Sequence, residues 1–127
     1  MKPEQFIRDF GVEKAKKVLG QSPALKCYYL PKYEQYFTDK HGFIYVLGMF
    51  GYFTPTLDMT MDDLTSNGFL ISDLKQLVAS LKLIESKGGI ENVKEDELWA
   101  NELGFGYKDL AQAIKDHESI YGGGDES

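Results

Sequence analysis

The chain has 127 residues, 43% of them hydrophobic and 27% charged, which suits one globular core and is too apolar for a disordered chain. Its formal charge of −6 argues against a protein that grips nucleic acid non-specifically, because phosphate binding needs clustered lysine and arginine. The single cysteine, Cys27, excludes a disulfide within the chain and fits a reducing compartment.

Pro3 suits a first helical turn, where its missing N–H costs nothing. Phe6, Ile7 and Phe10 recur at helical spacing, and Val12, Ala15, Val18 and Leu19 resume the pattern after Gly11. Two short helices, or one kinked at Gly11, are predicted. From residue 24 to 57 the chain turns aromatic, with Tyr28, Tyr29, Tyr33, Tyr36, Phe37, Phe43, Tyr45, Phe50, Tyr52 and Phe53. Aromatic residues fit strands, and Pro31, Pro55 and the glycines punctuate them. Thr38 to Gly42 reads as a hairpin connection. Phe43 to Phe50 is apolar at every alternation, which predicts a central strand covered on each face.

Residues 58 to 67 read as a polar loop, and Phe69 to Ile71 as a last short strand. Ser72 is a good N-cap for a helix whose apolar stripe is Leu74, Leu77, Val78, Leu81 and Ile84, ended by Gly88 and Gly89. A short helix from about Ile90 to Leu98 and a last helix from about Lys108 to Ile120 follow, the latter with Leu110, Ala113, Ile114 and His117 on one side. The fold class expected is α+β: a small antiparallel sheet from the tyrosine-rich middle, packed against N-terminal and C-terminal helices. Residues 1–121 read as one domain and residues 122–127 as a flexible glycine-rich tail. The segment after Gly68-Phe69 weakly echoes the one after Gly104-Phe105, each an aromatic lead-in to an amphipathic helix.

The opening from Met1 to Phe10 has no long apolar stretch, so no signal peptide is expected. The longest apolar run, Phe43 to Phe53, is too short and glycine-broken to span a bilayer. A cytoplasmic location is the expectation.

Chemistry-bearing patterns are sparse. Cys27 sits in a tyrosine-rich strand and reads as a packed thiol rather than the partner of His41 or His117. Asp58, Asp62 and Asp63 lie close together but lack the spacing and glycine of a calcium loop. Gly48 and Gly51 are flanked by bulky apolar residues, unlike a phosphate-binding loop. Glu91, Glu95, Asp96 and Glu97 are the densest carboxylates and read as a solvated charge run. A helix-turn-helix over Gly11 to Leu30 fails at Pro23 and the Cys27-Tyr28-Tyr29 run, although Lys14, Lys16, Lys17, Lys26 and Lys32 bias that region positive. No catalytic residue, metal or cofactor is therefore assigned. The tyrosines are the distinctive feature, since tyrosine combines broad apolar contact with a polar tip and low entropy cost. Tyr28, Tyr33, Tyr36, Tyr45 and Tyr52 are the candidate partner-binding residues.

Phe6 to Val18 resembles the start of small accessory-region proteins of lambdoid bacteriophages and prophages. Ser72 to Ser80, Ile84 to Gly89 and Lys108 to Ser119 resemble their C-terminal half. These stretches cover under half of the chain and leave out the tyrosine-rich middle. The resemblance implies a small protein, in a bacterial host cell, that binds and redirects a host or phage component; it implies no catalytic residues. The function expected is a non-enzymatic accessory protein that binds and modulates a host or phage protein through an aromatic-rich surface, with a second copy of the chain as another candidate partner. A membrane is not an expected partner, and nucleic acid is disfavoured. Three other readings stay open: an acidic nucleic-acid mimic that inhibits a host defence nuclease, a small DNA-binding regulator, and an enzyme whose site has no recognised motif.

Overall fold

The fold, a computed structural model, is described over residues 1–48, 51–56, 59–102 and 108–122, with backbone alone for 51–56, 101, 108 and 122. Over these residues it is α+β, with six α-helices and one five-stranded antiparallel sheet. The contacts group into two compact units, Met1–Lys75 and Gln76–Ser127, where the sequence reading takes 1–121 as one domain. The division falls inside a helix whose apolar stripe runs on unbroken, so no linker-like composition marks it.

The first unit opens with α1 (Pro3–Phe10) and α2 (Val12–Gln21). Gly11 separates them at φ 93° and ψ 161°, while its N–H still donates to the Ile7 carbonyl at 2.7 Å. A side chain at Gly11 would meet open space, so the left-handed φ, rather than crowding, is what calls for glycine there.

Strands β1 (Tyr28–Leu30), β2 (Gln35–Lys40), β3 (Phe43–Gly48), β4 (Gly51–Thr56) and β5 (Phe69–Leu70) form a sheet in the order β4-β3-β2-β1-β5. The β2–β3 hairpin is tighter than the expected five-residue connection. Lys40 pairs with Phe43, and only His41 (φ 56°) and Gly42 (φ 85°) turn the chain. Two successive positive φ values match the twist of the flanking strands. β3 is not the expected central strand: β2 holds the middle of the sheet, and Phe43 and Ile44 open β3 as exposed and buried. An apolar run cannot reveal which strands pair outside it; here β4 lies beyond β3 at the edge. Residues 49 and 50, the end of that run, lie outside the described residues.

Register assigns the side chains to two faces. Tyr28 pairs with Phe37 and Phe37 with Val46, placing them with Leu30 and Ile44 on one face. Tyr29 pairs with Tyr36 and Tyr36 with Leu47, placing them with Phe43, Tyr45 and Phe69 on the other. The first face packs on α3 (Met61–Asn67), whose Leu64 joins Leu30, Phe37 and Ile44 in a core flanked by Tyr28, Val46 and Met59. The second face takes α1. The Phe6 ring lies 5.8 Å from Tyr29, 5.2 Å from Phe69 and 4.9 Å from Phe10, centroid to centroid. The Tyr36 hydroxyl ties α2 to β2 by donating to the Val18 carbonyl at 2.5 Å.

α3 corrects the expectation of a loop over residues 58–67. Thr60 caps it: its hydroxyl accepts from the Asp63 N–H while the Asp63 carboxylate accepts from the Thr60 N–H. This reciprocal capping box, with Leu64 as the apolar anchor, is enough for a two-turn helix. The Asp58 end of the predicted acidic loop lies outside the described residues. Gly68 then lets two backbones meet, for a Cβ there would stand 2.6 Å from the Tyr29 carbonyl oxygen.

α4 (Ile71–Ser86) begins one residue before the predicted Ser72 cap. Its first amides are satisfied by the approach to β1: Ile71 N–H donates to the Cys27 carbonyl at 2.9 Å and Ser72 N–H to the Leu25 carbonyl at 3.2 Å. Backbone partners from another segment thus replace the side-chain cap. The predicted stripe lies inward, with Leu74, Leu77, Val78 and Ile84 buried. Gly89 ends the helix, its N–H donating to the Ile84 carbonyl at 2.9 Å.

In the second unit the last turns of α4 pack with α5 (Ile90–Glu102) and α6 (Lys108–His117). Ile84, Val93, Leu110 and Ala113 form the centre, with Leu81, Leu83, Ile90 and Ile114 around it. α5 runs four residues past its predicted end at Leu98. The last helix changes to a π-helical turn over Glu118–Gly122, which buries Ile120. Gly122, which the sequence reading places at the start of the flexible tail, closes this turn, and the remainder of the predicted tail, residues 123–127, lies outside the described residues.

Candidate functional site

The five candidate tyrosines do not share one surface. Tyr28 packs half-buried on the α3 side of the sheet. Tyr36 is half-buried on the opposite side, bonded to Val18 and 5.1 Å from the buried Tyr29 ring. Tyr45 is half-buried on that same side, further along the sheet in β3. Tyr33, in the β1–β2 connection, is 48% exposed; its ring meets Phe37 edge-on at 6.1 Å and carries the Lys32 ammonium 5.6 Å above it. Tyr52 lies in the edge strand β4, opposite Leu47, and its side chain is outside the described residues. Tyr28 and Tyr36 are therefore packing residues, and among the candidate tyrosines with described side chains Tyr33 is the exposed one. A period-two strand puts neighbouring tyrosines on opposite faces, so a cluster in sequence becomes a scatter in space.

The Cys27 thiol is fully buried. It donates to the Ala24 carbonyl at 3.1 Å and lies 3.6 Å from the Ser22 hydroxyl. Burial pushes its pKa up, outweighing the smaller opposing effects of its hydrogen-bonding contacts with Ser22 and Ala24, which keeps the sulfur a thiol. Burial likewise pushes the Tyr36 hydroxyl up to about 12, with Tyr29 and Cys27 adding to the effect. His117 is held below its usual range by burial and by the nearby Lys94 cation, against a smaller opposing pull from Glu118; its ring centroid is 5.0 Å from that of Tyr121. His41 sits exposed in the hairpin turn.

A polar cluster inside the second unit was not anticipated. The buried Asp116 carboxylate accepts from the Ser80 hydroxyl at 2.5 Å, the Gln76 amide at 3.3 Å and the Gln112 amide at 2.8 Å. This arrangement ties α6 to α4 and uses the carboxylate's lone pairs on structural donors. Among the described residues no three of His, Cys, Asp or Glu converge to hold a metal ion.

Among the described residues of the second unit the most exposed large apolar side chains are Leu98 and Trp99, at 65% and 59%, on adjacent positions of α5. The helix turns Val93 and Ala100 inward and Ile90 and Glu97 partly so, which leaves Leu98 and Trp99 on its outer side. Glu91, Glu95 and Glu102 recur there at spacings of four and seven, all exposed. Glu95 precedes Trp99 by four residues, and Leu98 precedes Glu102 by four. Asp96 is partnered by Lys87 at 4.0 Å, whereas Glu91, Glu95 and Glu102 have no ion pair among the described residues. The sequence carried a signal for this pair, since both residues fall off the inward stripe of α5.

Charge divides unevenly between the units. Residues 1–75 hold nine basic and nine acidic side chains; residues 76–127 hold five basic and eleven acidic, so the whole net charge of −6 belongs to the second unit. No described helix is long and apolar enough to cross a membrane. No protein-family model, curated protein or solved structure matches the chain.

Proposed function

We propose that this chain is a non-enzymatic interaction protein that binds and modulates another protein, host or phage, through exposed aromatic and aliphatic anchors. The observation that carries the reading is the Leu98–Trp99 pair. Tryptophan is the residue most enriched at binding hot spots, and a helix that spends one on solvent leaves substantial apolar area uncovered. Tyr33 supplies an exposed anchor on the first unit. The resemblance of Phe6 to Val18 and of the α4 and α6 segments to phage accessory proteins supports the phage or prophage setting.

The test is affinity purification from a bacterial lysate with wild-type, Trp99→Ala and Tyr33→Ala baits, read by quantitative mass spectrometry. A specific partner is expected on the wild-type bait and reduced about tenfold or more on Trp99→Ala, the size of an ordinary hot spot. A partner retained equally by all three baits sinks the anchor assignment. Acidic mimicry of nucleic acid is the second reading. It is supported by the concentration of negative charge in residues 76–127, and it requires DNA to compete for the partner.

A further inference from the structure

We infer that the outer face of α5 is a docking site for a cationic protein segment that carries an apolar anchor. The inference rests on the interaction-protein reading and adds the chemistry of the partner. Leu98 and Trp99 offer apolar surface, and Glu91, Glu95 and Glu102 form a carboxylate row beside and between them. Over the whole of α5 there are five carboxylates and one lysine. An uncharged partner would have to desolvate those carboxylates without return, and an acidic one would be repelled. Lysine or arginine side chains over the carboxylate row, with an aliphatic or aromatic residue against Trp99, satisfy both parts of the face. Arginine can in addition stack on the indole.

The position also separates anchoring from steering. Leu98 and Trp99 supply contact that persists in salt, while the carboxylate row, in a unit carrying all of the net charge, draws a basic segment in from solution. A purely charge-reading surface would not need the indole, and a purely apolar patch would not need the rim.

Trp99 is the sole tryptophan of the chain, so its fluorescence reports this site directly. The full-length protein is titrated with three synthetic peptides of equal length. One is an amphipathic leucine–lysine sequence, one a scramble of it without an apolar face, and one the leucine–glutamate counterpart. The leucine–lysine peptide is expected to shift Trp99 emission to the blue and to bind about tenfold or more tighter than the scramble. The leucine–glutamate peptide is expected to leave the emission unchanged. Leu98→Ser, which keeps the fluorophore and every charge, should weaken the leucine–lysine peptide, and Glu95→Gln with Glu102→Gln should flatten the salt dependence. Equal binding of the scramble overturns the inference in favour of charge alone. An equal response to the acidic peptide, no response to any peptide, or a concentration-dependent blue shift of the protein by itself, which marks a second copy as the occupant, also overturns it. A partner captured through Trp99 whose binding ignores salt would overturn the cationic assignment while leaving the interaction reading intact.

Discussion

Tyr36 illustrates how a residue chosen for contact is used for packing instead. Its hydroxyl donates to the Val18 carbonyl and its ring lies beside Tyr29, so the phenol stays neutral in the folded chain. Its pKa is raised from the ordinary value near 10 to about 12. A group whose folded pKa is raised contributes stability that is complete below the unfolded pKa and lost as pH rises through the folded one. The first unit should therefore weaken as pH climbs from about 10 towards about 12. Tyr36→Phe should lose about 1 kcal/mol at neutral pH, the ordinary worth of one hydrogen bond, and remove this share of the alkaline sensitivity. Denaturant midpoints across that range, compared between the two proteins, check both parts. Cys27 follows the same logic, since a thiol that was legible as packed from its strand context is also held protonated by burial.

Among the elements, those with a strong period were legible and those stabilised by partners distant in sequence were not. The α4 stripe lies inward at Leu74, Leu77, Val78 and Ile84 because a 3.6-residue period leaves one solution for burying it. Its start was misplaced because the first amides bond to Leu25 and Cys27, some forty-five residues earlier, which no local cap signal encodes. α3 was readable in principle from Thr60, Asp63 and Leu64, yet its polarity resembles a loop and its anchor is a single leucine. Asp116 was invisible for a further reason: on a helical wheel it is one more charge, and only the approach of α4 turns it into a buried acceptor. Asp116→Ala should leave Ser80, Gln76 and Gln112 without their acceptor and cost the second unit about 1–3 kcal/mol. Hydrogen exchange of the α4 and α6 amides measures that loss. Asp116→Asn, which keeps one acceptor oxygen, should recover part of it.

At the scale of the whole molecule, net charge is confined to one unit, whereas exposed apolar side chains occur in both. The first unit is electrically balanced and leaves Phe10, Tyr33 and Phe43 exposed, while the second carries the net charge of −6 beside its exposed Leu98 and Trp99. Self-repulsion in the second unit should be relieved by salt. Raising ionic strength from about 0.01 M to about 1 M shortens the screening length from about 30 Å to about 3 Å. Hydrogen exchange in α5 and α6 should slow over that range while exchange in β1 and β2 stays constant; equal behaviour of the two units would contradict the charge division.

From the sequence alone follow the α+β class, the break at Gly11, the hairpin near His41 and the inward stripes of α4 and α6. Each of these depends on residues close enough in the chain to read one another through backbone geometry. Strand order, the burial of Asp116 and the scatter of the tyrosines over two faces were decided by tertiary structure. Those properties belong to surfaces, and a surface exists only once segments far apart in the chain have covered some side chains and left others in water.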